Sequence, residues 1–380
     1  MNGKLAVRLK EKARELGFDK VGVAPAAPLE LAERAIRERV RSGRLRDYGF
    51  ARKPAERFTH PESMLPGAKS VVVVALSYLA AEPEDEHEGL RGCVARFARG
   101  RDYHAIVKER LQRLGEWLSG EVGGAGFKIC VDSGPIVERA AAREAGIGSY
   151  GKNALLITRD AGSWVVLGEL VTDAPLEPDD PAQLEDCGGC SICLHACPSG
   201  AIPSPFVIDQ TRCISHLTQM KDLIPRELRP LVGSRIYGCD VCQEVCPKNI
   251  GVRLGSLPMD AGPGAHPELV PLLNIGQREF DRLIGPTAIG WIGRTSFRRN
   301  IAVAMGNIGD PAAVPELARA LDDPDPIIRG HAAWALGRIG GARARRLLES
   351  AVKRETNLRV IEELRAARRE MQGGGREMQK

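Results

Sequence analysis

The order of apolar and polar residues over the first 180 positions predicts alternating helices and strands. Apolar residues recur at helical spacing over residues 5–16, and Gly17 follows as a helix C-cap. The run Ser70–Ser77 is apolar and largely β-branched, which is typical of a strand buried on both faces. The same patterns predict helices over residues 103–118 and 136–145, and strands over residues 127–131 and 164–172. We therefore expect an α/β domain of two or three layers over residues 1–178, with a strand order that the sequence leaves open.

The last third of the chain contains an internal repeat. Residues 302–309 read AVAMGNIG and residues 333–340 read AWALGRIG, and five of the eight positions are identical. Arg298 and Arg329 keep the same offset of 31 residues. Turns containing Asp-Pro separate the helix-length segments. This periodicity predicts stacked helix pairs of the HEAT-like kind over residues 267–380.

Composition and charge narrow the class of protein. With 43% hydrophobic and 27% charged residues, disorder over most of the chain is excluded. No apolar run approaches the roughly 20 residues of a membrane span, and the charged N-terminus lacks a signal core, so we expect a cytoplasmic protein. Residues 281–380 carry 18 Lys and Arg against 12 Asp and Glu, a net charge of +6, whereas the preceding 280 residues carry −1. A basic tail of this kind favours an acidic partner, nucleic acid first.

Cysteine is the most unevenly distributed residue. Eight of the ten cysteines lie within sixty residues, from Cys187 to Cys246. A secreted disulfide scaffold would be short and would carry a signal peptide. Clustered cysteines in a reducing compartment are instead typical of metal ligands, so residues 179–255 are predicted to form a metal-binding domain.

The cysteine spacing is that of a bacterial two-cluster ferredoxin, in which three thiolates bind one [4Fe–4S] cluster and the fourth binds the other. The first set ends in Cys197-Pro198, and a second set ends in Cys246-Pro247. We assign Cys187, Cys190, Cys193 and Cys246 to cluster one, and Cys197, Cys213, Cys239 and Cys242 to cluster two. The alternative is a pair of zinc sites, but zinc usually takes two separate CxxC knuckles. Cys130 ends an apolar strand and is expected in the core.

The α/β domain ahead of the cysteines suggests a terminal electron acceptor rather than a simple carrier. No GxGxxG motif follows a strand, which disfavours a Rossmann nucleotide site. His104, His195 and His216 form no pair with metal-ligand spacing and are interpreted as ordinary surface or core residues.

Two motifs ahead of the cysteines resemble the signature of the epoxyqueuosine reductase family. One is Asp132-Ser133-Gly134-Pro135 with Glu138-Arg139-Ala140, and the other is Gly148-Ser149-Tyr150-Gly151-Lys152-Asn153. Leu65-Pro66-Gly67-Ala68-Lys69-Ser70 and the order of the three predicted domains add to the resemblance. It implies a cobalamin-binding N-terminal domain and reduction of an epoxide at the wobble base of tRNA to queuosine.

The resemblance also implies roles for individual residues. Asp132 matches the family's proton donor, although an Asp before Pro135 could instead be a helix N-cap. The cobalamin contacts that it implies are Arg57, Cys93, Asp132, Lys152, Asn153, Leu156, Leu167 and Ser215. A tRNA substrate requires phosphate contacts, for which Arg is well suited. The candidates are Arg294, Arg298, Arg299, Arg329 and Arg338.

The expected partners are the epoxyqueuosine-bearing anticodon stem-loop of tRNA and an external low-potential electron donor. We expect a monomer with no membrane association. Two other functions remain open at this point. One is a different corrinoid iron–sulfur reductase, such as a dehalogenase. The other is a non-enzymatic electron-transfer module that docks through its helical repeats.

Overall fold

The computed structural model describes residues 2–45, 52–81, 89–183, 187–259 and 261–377. The helices are α1 (Asn2–Glu15), α2 (Glu30–Arg41), α3 (Glu56–Thr59), α4 (Tyr103–Glu121), α5 (Glu138–Glu144), α6 (Ile192–Ala196), α7 (Ile214–Gln219), α8 (Arg229–Val232), α9 (Val241–Glu244), α10 (Leu269–Leu273), α11 (Gln277–Leu283), α12 (Gly293–Ile308), α13 (Val314–Ala320), α14 (Pro326–Ile339), α15 (Gly341–Arg354) and α16 (Leu358–Glu377). The strands are β1 (Lys20–Pro25), β2 (Ser70–Ser77), β3 (Cys93–Val94), β4 (Phe127–Cys130), β5 (Ser149–Tyr150), β6 (Leu156–Ile157), β7 (Val165–Thr172) and β8 (Arg235–Tyr237).

The chain divides into two compact units. The first comprises Met1–Ala81, Asp102–Cys213 and Asp240–Met259, and the second comprises Glu82–Arg101, Ile214–Cys239 and Asp260–Lys380. The cysteine block therefore does not form a compact unit of its own. The physical reason lies within the second unit, where β8 pairs in parallel with β3 and packs against α12. The partition into three consecutive domains stays a prediction.

A four-stranded sheet, in the order β1-β2-β7-β4, forms the centre of the first unit. All of its pairings are antiparallel. The expectation that β2 is buried on both faces is confirmed, because all eight of its residues are buried. α5 packs on one face of this sheet and α4 on the other, which gives three layers. On the α4 face, a Cβ at Gly168 of β7 would lie 2.5 Å from Val107 of α4, so only glycine allows this close approach.

Stacked helices dominate the second unit, which confirms the HEAT-like repeat. α12 and α14 carry the two copies of the repeated octapeptide and pack against each other, and α14 packs in turn against α16. The small residues of the repeat permit this close packing, since a Cβ at Gly306 would lie 2.8 Å from the Ala335 backbone. Asp310 and Asp325 cap the following helical turns by accepting backbone N–H groups. In the described residues, no helix has the length and apolar character needed to cross a bilayer.

Candidate active site and cysteine sites

A strained loop carries Asp132. It connects β4 to α5, and Asp132 itself has a positive φ of 53°, a conformation that few residues other than glycine adopt. The loop folds back over the end of β4, because a Cβ at Gly134 would lie 2.1 Å from the Cys130 sulfur. Backbone strain of this kind is common at functional sites, where the surrounding structure stabilises the unfavourable conformation.

Asp132 is not a helix N-cap, so that alternative is wrong. α5 begins at Glu138, and its N-cap residue is Val137, with no side-chain cap. The Asp132 side chain is 58% exposed, and one of its carboxylate oxygens lies 3.2 Å from Nε2 of His104. Its backbone N–H donates to the Glu138 carboxyl. Asp132 therefore presents an open carboxyl group that bonds to His104, while its backbone N–H is held by Glu138.

His104 connects Asp132 to a second carboxylate. It lies in the first turn of α4, where Nδ1 is 2.6 Å from the Asp102 carboxylate. The ring also stacks on Tyr103, with 4.1 Å between the centroids. Because both ring nitrogens face carboxylates, the imidazolium form donates to both. Our interpretation of His104 as an ordinary surface or core residue is wrong.

The charges of Asp102 and Asp132 favour a protonated His104. Burial lowers the pKa of His104, but the hydrogen bonds and charges of Asp102 and Asp132 outweigh it and raise the pKa to about 9. Burial acts to raise the pKa of Asp132, yet the bond and charge of His104 hold that pKa below its ordinary value. At neutral pH the pair is thus an ionised Asp132 beside a protonated His104. The bond and charge of the bridging imidazolium thus outweigh the effect of burial on Asp132.

Two further carboxyl groups lie behind the Asp132 loop. Glu138 begins α5, and Glu169 lies on β7, directly opposite Cys130 of β4 in the sheet register. Glu169 is 0% exposed, and neither of its carboxyl oxygens has a hydrogen-bond partner. The sequence motif drew attention to Glu138 only as part of a signature, and Glu169 carried no local signal.

The structure describes all ten cysteines, and none of the ten forms a disulfide. Burial raises the pKa of Cys193, and the neighbouring thiols Cys246, Cys187 and Cys190 raise it further. Burial likewise raises the pKa of Cys246, and the nearby Cys187 and Cys190 raise it further. The hydrogen bond from the backbone N–H of Lys248 acts in the opposite direction. The four residues assigned to cluster one are therefore neighbours, although Cys246 is distant in sequence.

Of the residues assigned to cluster two, Cys197, Cys213 and Cys242 belong to the first compact unit and Cys239 to the second. Cluster two therefore stays a prediction from spacing.

Lys152 and Asn153 hold the cysteine loops. The Lys152 ammonium donates to the carbonyls of Gly188 and Cys190, the latter at 2.9 Å. Asn153 is buried, and its amide donates to the Cys242 carbonyl at 3.3 Å. Both residues thus bond to the backbone that carries the cysteines, and their corrin contacts stay predictions.

The other expected corrin contacts have diverse environments. Leu156 and Leu167 are 3% and 6% exposed and pack in the apolar core beside α5, so both are core residues. Arg57 is exposed and is the second residue of α3. In the second unit, Cys93 is partly buried on β3, and the Ser215 hydroxyl accepts a bond from Gln219. Cys130 is buried beside Met64, which confirms its expected core position, and burial raises its pKa to about 12.

The structure contradicts most of the expected tRNA contacts. Arg299 is 0% exposed, and its guanidinium donates to backbone carbonyls including those of Met220 and Leu217. Burial lowers its pKa to about 9. Arg298 is also buried, in an ion pair with Asp323 at 2.7 Å. Neither side chain is available to a phosphate.

Two of the remaining candidate arginines also bond within the protein. Arg329 pairs with Glu355 at 2.7 Å and 2.9 Å, and Arg294 is half-buried and bonded to Gln277. Arg298 and Arg329 thus recur because each binds an acid just after a later helix, Asp323 after α13 and Glu355 after α15, which is a structural use of the repeat. Arg338 alone among the candidates is exposed.

Exposed cations occur instead on α15. Arg343, Arg345 and Arg346 are exposed there and line two open clefts of ≈ 580 and ≈ 710 Å³. Arg346 contributes to both clefts, and Arg338 lines the second. Net charge indicated the basic tail, but helical spacing alone did not separate these exposed positions from the buried ones.

Comparisons with family models and with related sequences identify the same family. The family description "Epoxyqueuosine reductase QueG, DUF1730" matches residues 59–133, "4Fe-4S double cluster binding domain" matches 186–249, and "HEAT repeats" matches 293–368. The epoxyqueuosine reductase of Bacillus cereus is 39% identical over 359 residues, which cover 93% of each chain.

Solved structures agree over nearly the whole length. An epoxyqueuosine reductase in complex with an epoxyqueuosine-modified tRNA-Tyr stem loop superposes with a TM-score of 0.92 at 36% identity, covering 97% of this chain and 99% of that one. The Bacillus subtilis enzyme, in a structure whose catalytic aspartate loop has swung out of the active site, gives a TM-score of 0.91 at 36% identity, with the same coverage. With this similarity along its length, and with an aspartate on a strained loop ahead of a double-cluster cysteine block, the chain belongs to the epoxyqueuosine reductase family.

Proposed function

We propose that this chain reduces the epoxide of epoxyqueuosine in tRNA to the alkene of queuosine. The observation that carries the proposal is similarity to epoxyqueuosine reductases over 93% of both chains. The exposed Asp132 carboxyl and its His104 partner give the first unit an acid–base pair, which an electron carrier would not need. A reductase therefore fits this chain better than a non-enzymatic electron-transfer module.

The reaction requires two electrons and two protons, and the oxygen leaves as water. When bound, the [4Fe–4S] clusters and cobalamin would supply the electrons. Cys187, Cys190, Cys193 and Cys246 fit one cluster, as four adjacent thiols. Lys152 bonds to the loop that carries Cys187 and Cys190, and Asn153 bonds to the carbonyl of Cys242 on α9, so both residues support backbone next to predicted cluster ligands.

The expected cobalamin contacts differ in how exposed they are. Arg57 and Asp132 present exposed polar groups on the first unit, which fits a ligand that approaches from solvent. Cys93 and Ser215 remain predicted contacts. Leu156, Leu167, Lys152 and Asn153 also stay predicted contacts: the two leucines are buried in the apolar core, and Lys152 and Asn153 bond to the backbone that carries the cysteines.

Asp132 delivers a proton to the departing oxygen. In the resting protein the proton is on His104, within 3.2 Å of the Asp132 carboxylate. A proton that moves from His104 to Asp132 makes Asp132 the acid without moving the loop. Asp102 holds the other ring nitrogen at 2.6 Å, so the ring keeps its orientation throughout.

Phosphate contacts on the helical repeats would position the tRNA. The exposed cations Arg338, Arg343, Arg345 and Arg346 replace the buried arginines as candidates. Such contacts supply affinity and register rather than base specificity. The tRNA would be recognised chiefly through its single-stranded anticodon loop, where bases are exposed.

Replacing Arg345 and Arg346 together with alanine should weaken tRNA binding and flatten its salt dependence. Each lost phosphate contact should reduce the slope of log K against log salt by about 0.7 to 0.9. Fluorescence anisotropy with a labelled stem-loop at several salt concentrations measures both quantities. Arg282→Ala is the matched control, because Arg282 is 70% exposed in the same unit and lines neither cleft. Equal slopes for the double variant and the control would remove these residues from the tRNA surface.

The electron donor, the monomeric state and the cytoplasmic location are also proposals. A tRNA substrate and oxygen-sensitive clusters both suit a reducing interior. A dehalogenase-type activity is the second candidate, but the family relationship and the Arg-lined clefts favour a nucleic-acid substrate.

Complementation tests the function in a cell. Expression of the chain in a bacterium that lacks its own epoxyqueuosine reductase should convert tRNA epoxyqueuosine to queuosine, as measured by nucleoside mass spectrometry. Persistence of epoxyqueuosine, with the chain expressed and its clusters loaded, would contradict the proposal.

A further inference from the structure

A buried carboxyl group lies in the apolar core behind the active-site loop. Glu169 projects from the β7 face that also carries Leu167 and Val171, and its register partners across the sheet are Val73 and Cys130. It is fully buried, and both carboxyl oxygens lack a hydrogen-bond partner. An ionised carboxylate would be far too costly there, so Glu169 is protonated. A protonated, unpartnered carboxyl in a core calls for a functional explanation.

Glu138 links this core to Asp132. Its carboxyl accepts the Asp132 backbone N–H, and this bond holds the loop in its positive-φ conformation. Burial, followed by the charge of Asp132, raises the pKa of Glu138 to about 8. The Asp132 N–H, Arg139 and His104 act in the opposite direction.

Other titratable groups around Glu138 do not provide a counter-charge. Glu169 and Cys130 are both near it, and both are neutral at physiological pH because burial raises the pKa of each. Arg139 donates to the Ala154 carbonyl rather than to Glu138. The neighbourhood therefore contains one ionised carboxylate, Asp132, and two protonated ones.

The reaction needs two protons, and the carboxyl groups around Asp132 hold protons. Conversion of an epoxide to an alkene breaks both C–O bonds, places two electrons on the carbon pair and releases the oxygen as water after it takes up two protons. The electrons come from the reduced cofactors of the proposed activity. The His104–Asp132 pair holds one proton, so a second proton has to reach Asp132 before the oxygen can leave as water.

We propose that Glu138, backed by Glu169, is a positioning residue that fixes the Asp132 loop and holds the second proton of the reduction. After Asp132 has given the first proton to the oxygen, the Glu138 carboxyl transfers its proton to the Asp132 carboxylate. Asp132 then delivers it to the leaving hydroxide, and water departs. Glu138 regains a proton from solvent between turnovers, while Glu169 stays neutral and keeps the pocket free of a counter-charge. This inference rests on the proposed function.

Glu138→Gln tests the acidic proton of Glu138 separately from its role in positioning the Asp132 loop. Glutamine keeps an oxygen that can accept the Asp132 N–H but carries no acidic proton. At saturating tRNA, the single-turnover rate should fall by about 100-fold, the lower end of general-acid effects. The decline in wild-type rate as pH rises through about 8 should disappear. The KM for tRNA, cobalamin affinity and cluster spectra should stay unchanged. Glu138→Ala should lose the loop position as well and be slower still.

Infrared titration provides a readout that needs no turnover. In the cofactor-free wild-type chain, the carbonyl-stretch band of a protonated carboxyl should disappear as pH rises through about 8, and Glu138→Gln should lack that transition. Glu169→Leu should fold, because it replaces an unpartnered carboxyl with an apolar side chain of similar size. Glu138 should then titrate at the same pH or a higher one, because an apolar side chain stabilises the ionised form of Glu138 no better than a neutral carboxyl does.

The outcomes are distinct. A wild-type rate and pH profile in Glu138→Gln would overturn the proposal, as would the absence of the infrared transition from the wild type. An inactive wild-type enzyme that shows the infrared transition would instead contradict the proposed reaction, and with it the use of the proton, while leaving the protonation of Glu138 established.

Discussion

Asp132→Asn should lower turnover by about 10² to 10⁴, the range of general-acid effects. Asparagine keeps an oxygen that can accept from His104, and it tolerates positive φ nearly as well as aspartate. The substitution therefore preserves the loop and removes the group that transfers the proton. Single-turnover rates at saturating tRNA measure the effect, with cobalamin binding and cluster spectra as checks on the fold.

The matched control for Asp132→Asn is Asp160→Asn. Asp160 is 54% exposed in the same compact unit, where it pairs with Lys20 away from the active-site loop. This variant should keep wild-type turnover. A fully active Asp132→Asn enzyme would mean that a group other than Asp132 supplies the proton.

Cys246→Ser should destroy the cluster bound by Cys187, Cys190 and Cys193. The wild-type chain should bind about eight irons and eight sulfides, as two [4Fe–4S] clusters require, and the variant about four. The physical reason is the proximity of the Cys246 thiol to that set. Turnover should be lost as well, since electron delivery requires both clusters. Iron analysis and paramagnetic resonance of the reduced protein measure the outcome.

Double variants identify which cluster is lost. Cys246→Ser combined with Cys193→Ser should lose no further iron, whereas combination with Cys242→Ser should remove the remainder. Cys130→Ala is the control, because this buried core thiol lies outside both sets and its loss should leave all the iron bound. If the Cys242 combination retained four irons and the Cys193 combination retained none, the assignment of Cys246 would be wrong.

Local patterns predicted what depends on local structure. The buried strand β2 and the repeat helices α12 and α14 follow directly from periodicity, and their predicted positions are confirmed. β1 was missed because its sequence KVGVAP contains a glycine and a proline, which weaken the strand pattern. The division into compact units depends on the pairing of β3 with β8, which no local pattern reports.

Local patterns also failed to predict the contacts of the active site. His104 and Asp132 are 28 residues apart, and only the packing of α4 beside the end of β4 brings them together. Glu169 resembles any polar interruption of a strand, and only its burial without a partner marks it. The recurrent arginines carried a real signal, but periodic recurrence reported ion pairs within the repeats rather than contacts with a ligand.

The most direct test of the central claim is anaerobic incubation of the reconstituted chain with cobalamin, a low-potential chemical reductant and tRNA that carries epoxyqueuosine, followed by nucleoside mass analysis. We expect queuosine to appear in proportion to the epoxyqueuosine consumed. We also expect this conversion to require both cobalamin and loaded clusters and to be lost in Asp132→Asn. Unchanged epoxyqueuosine, with both clusters loaded and reduced and cobalamin bound, would contradict the account.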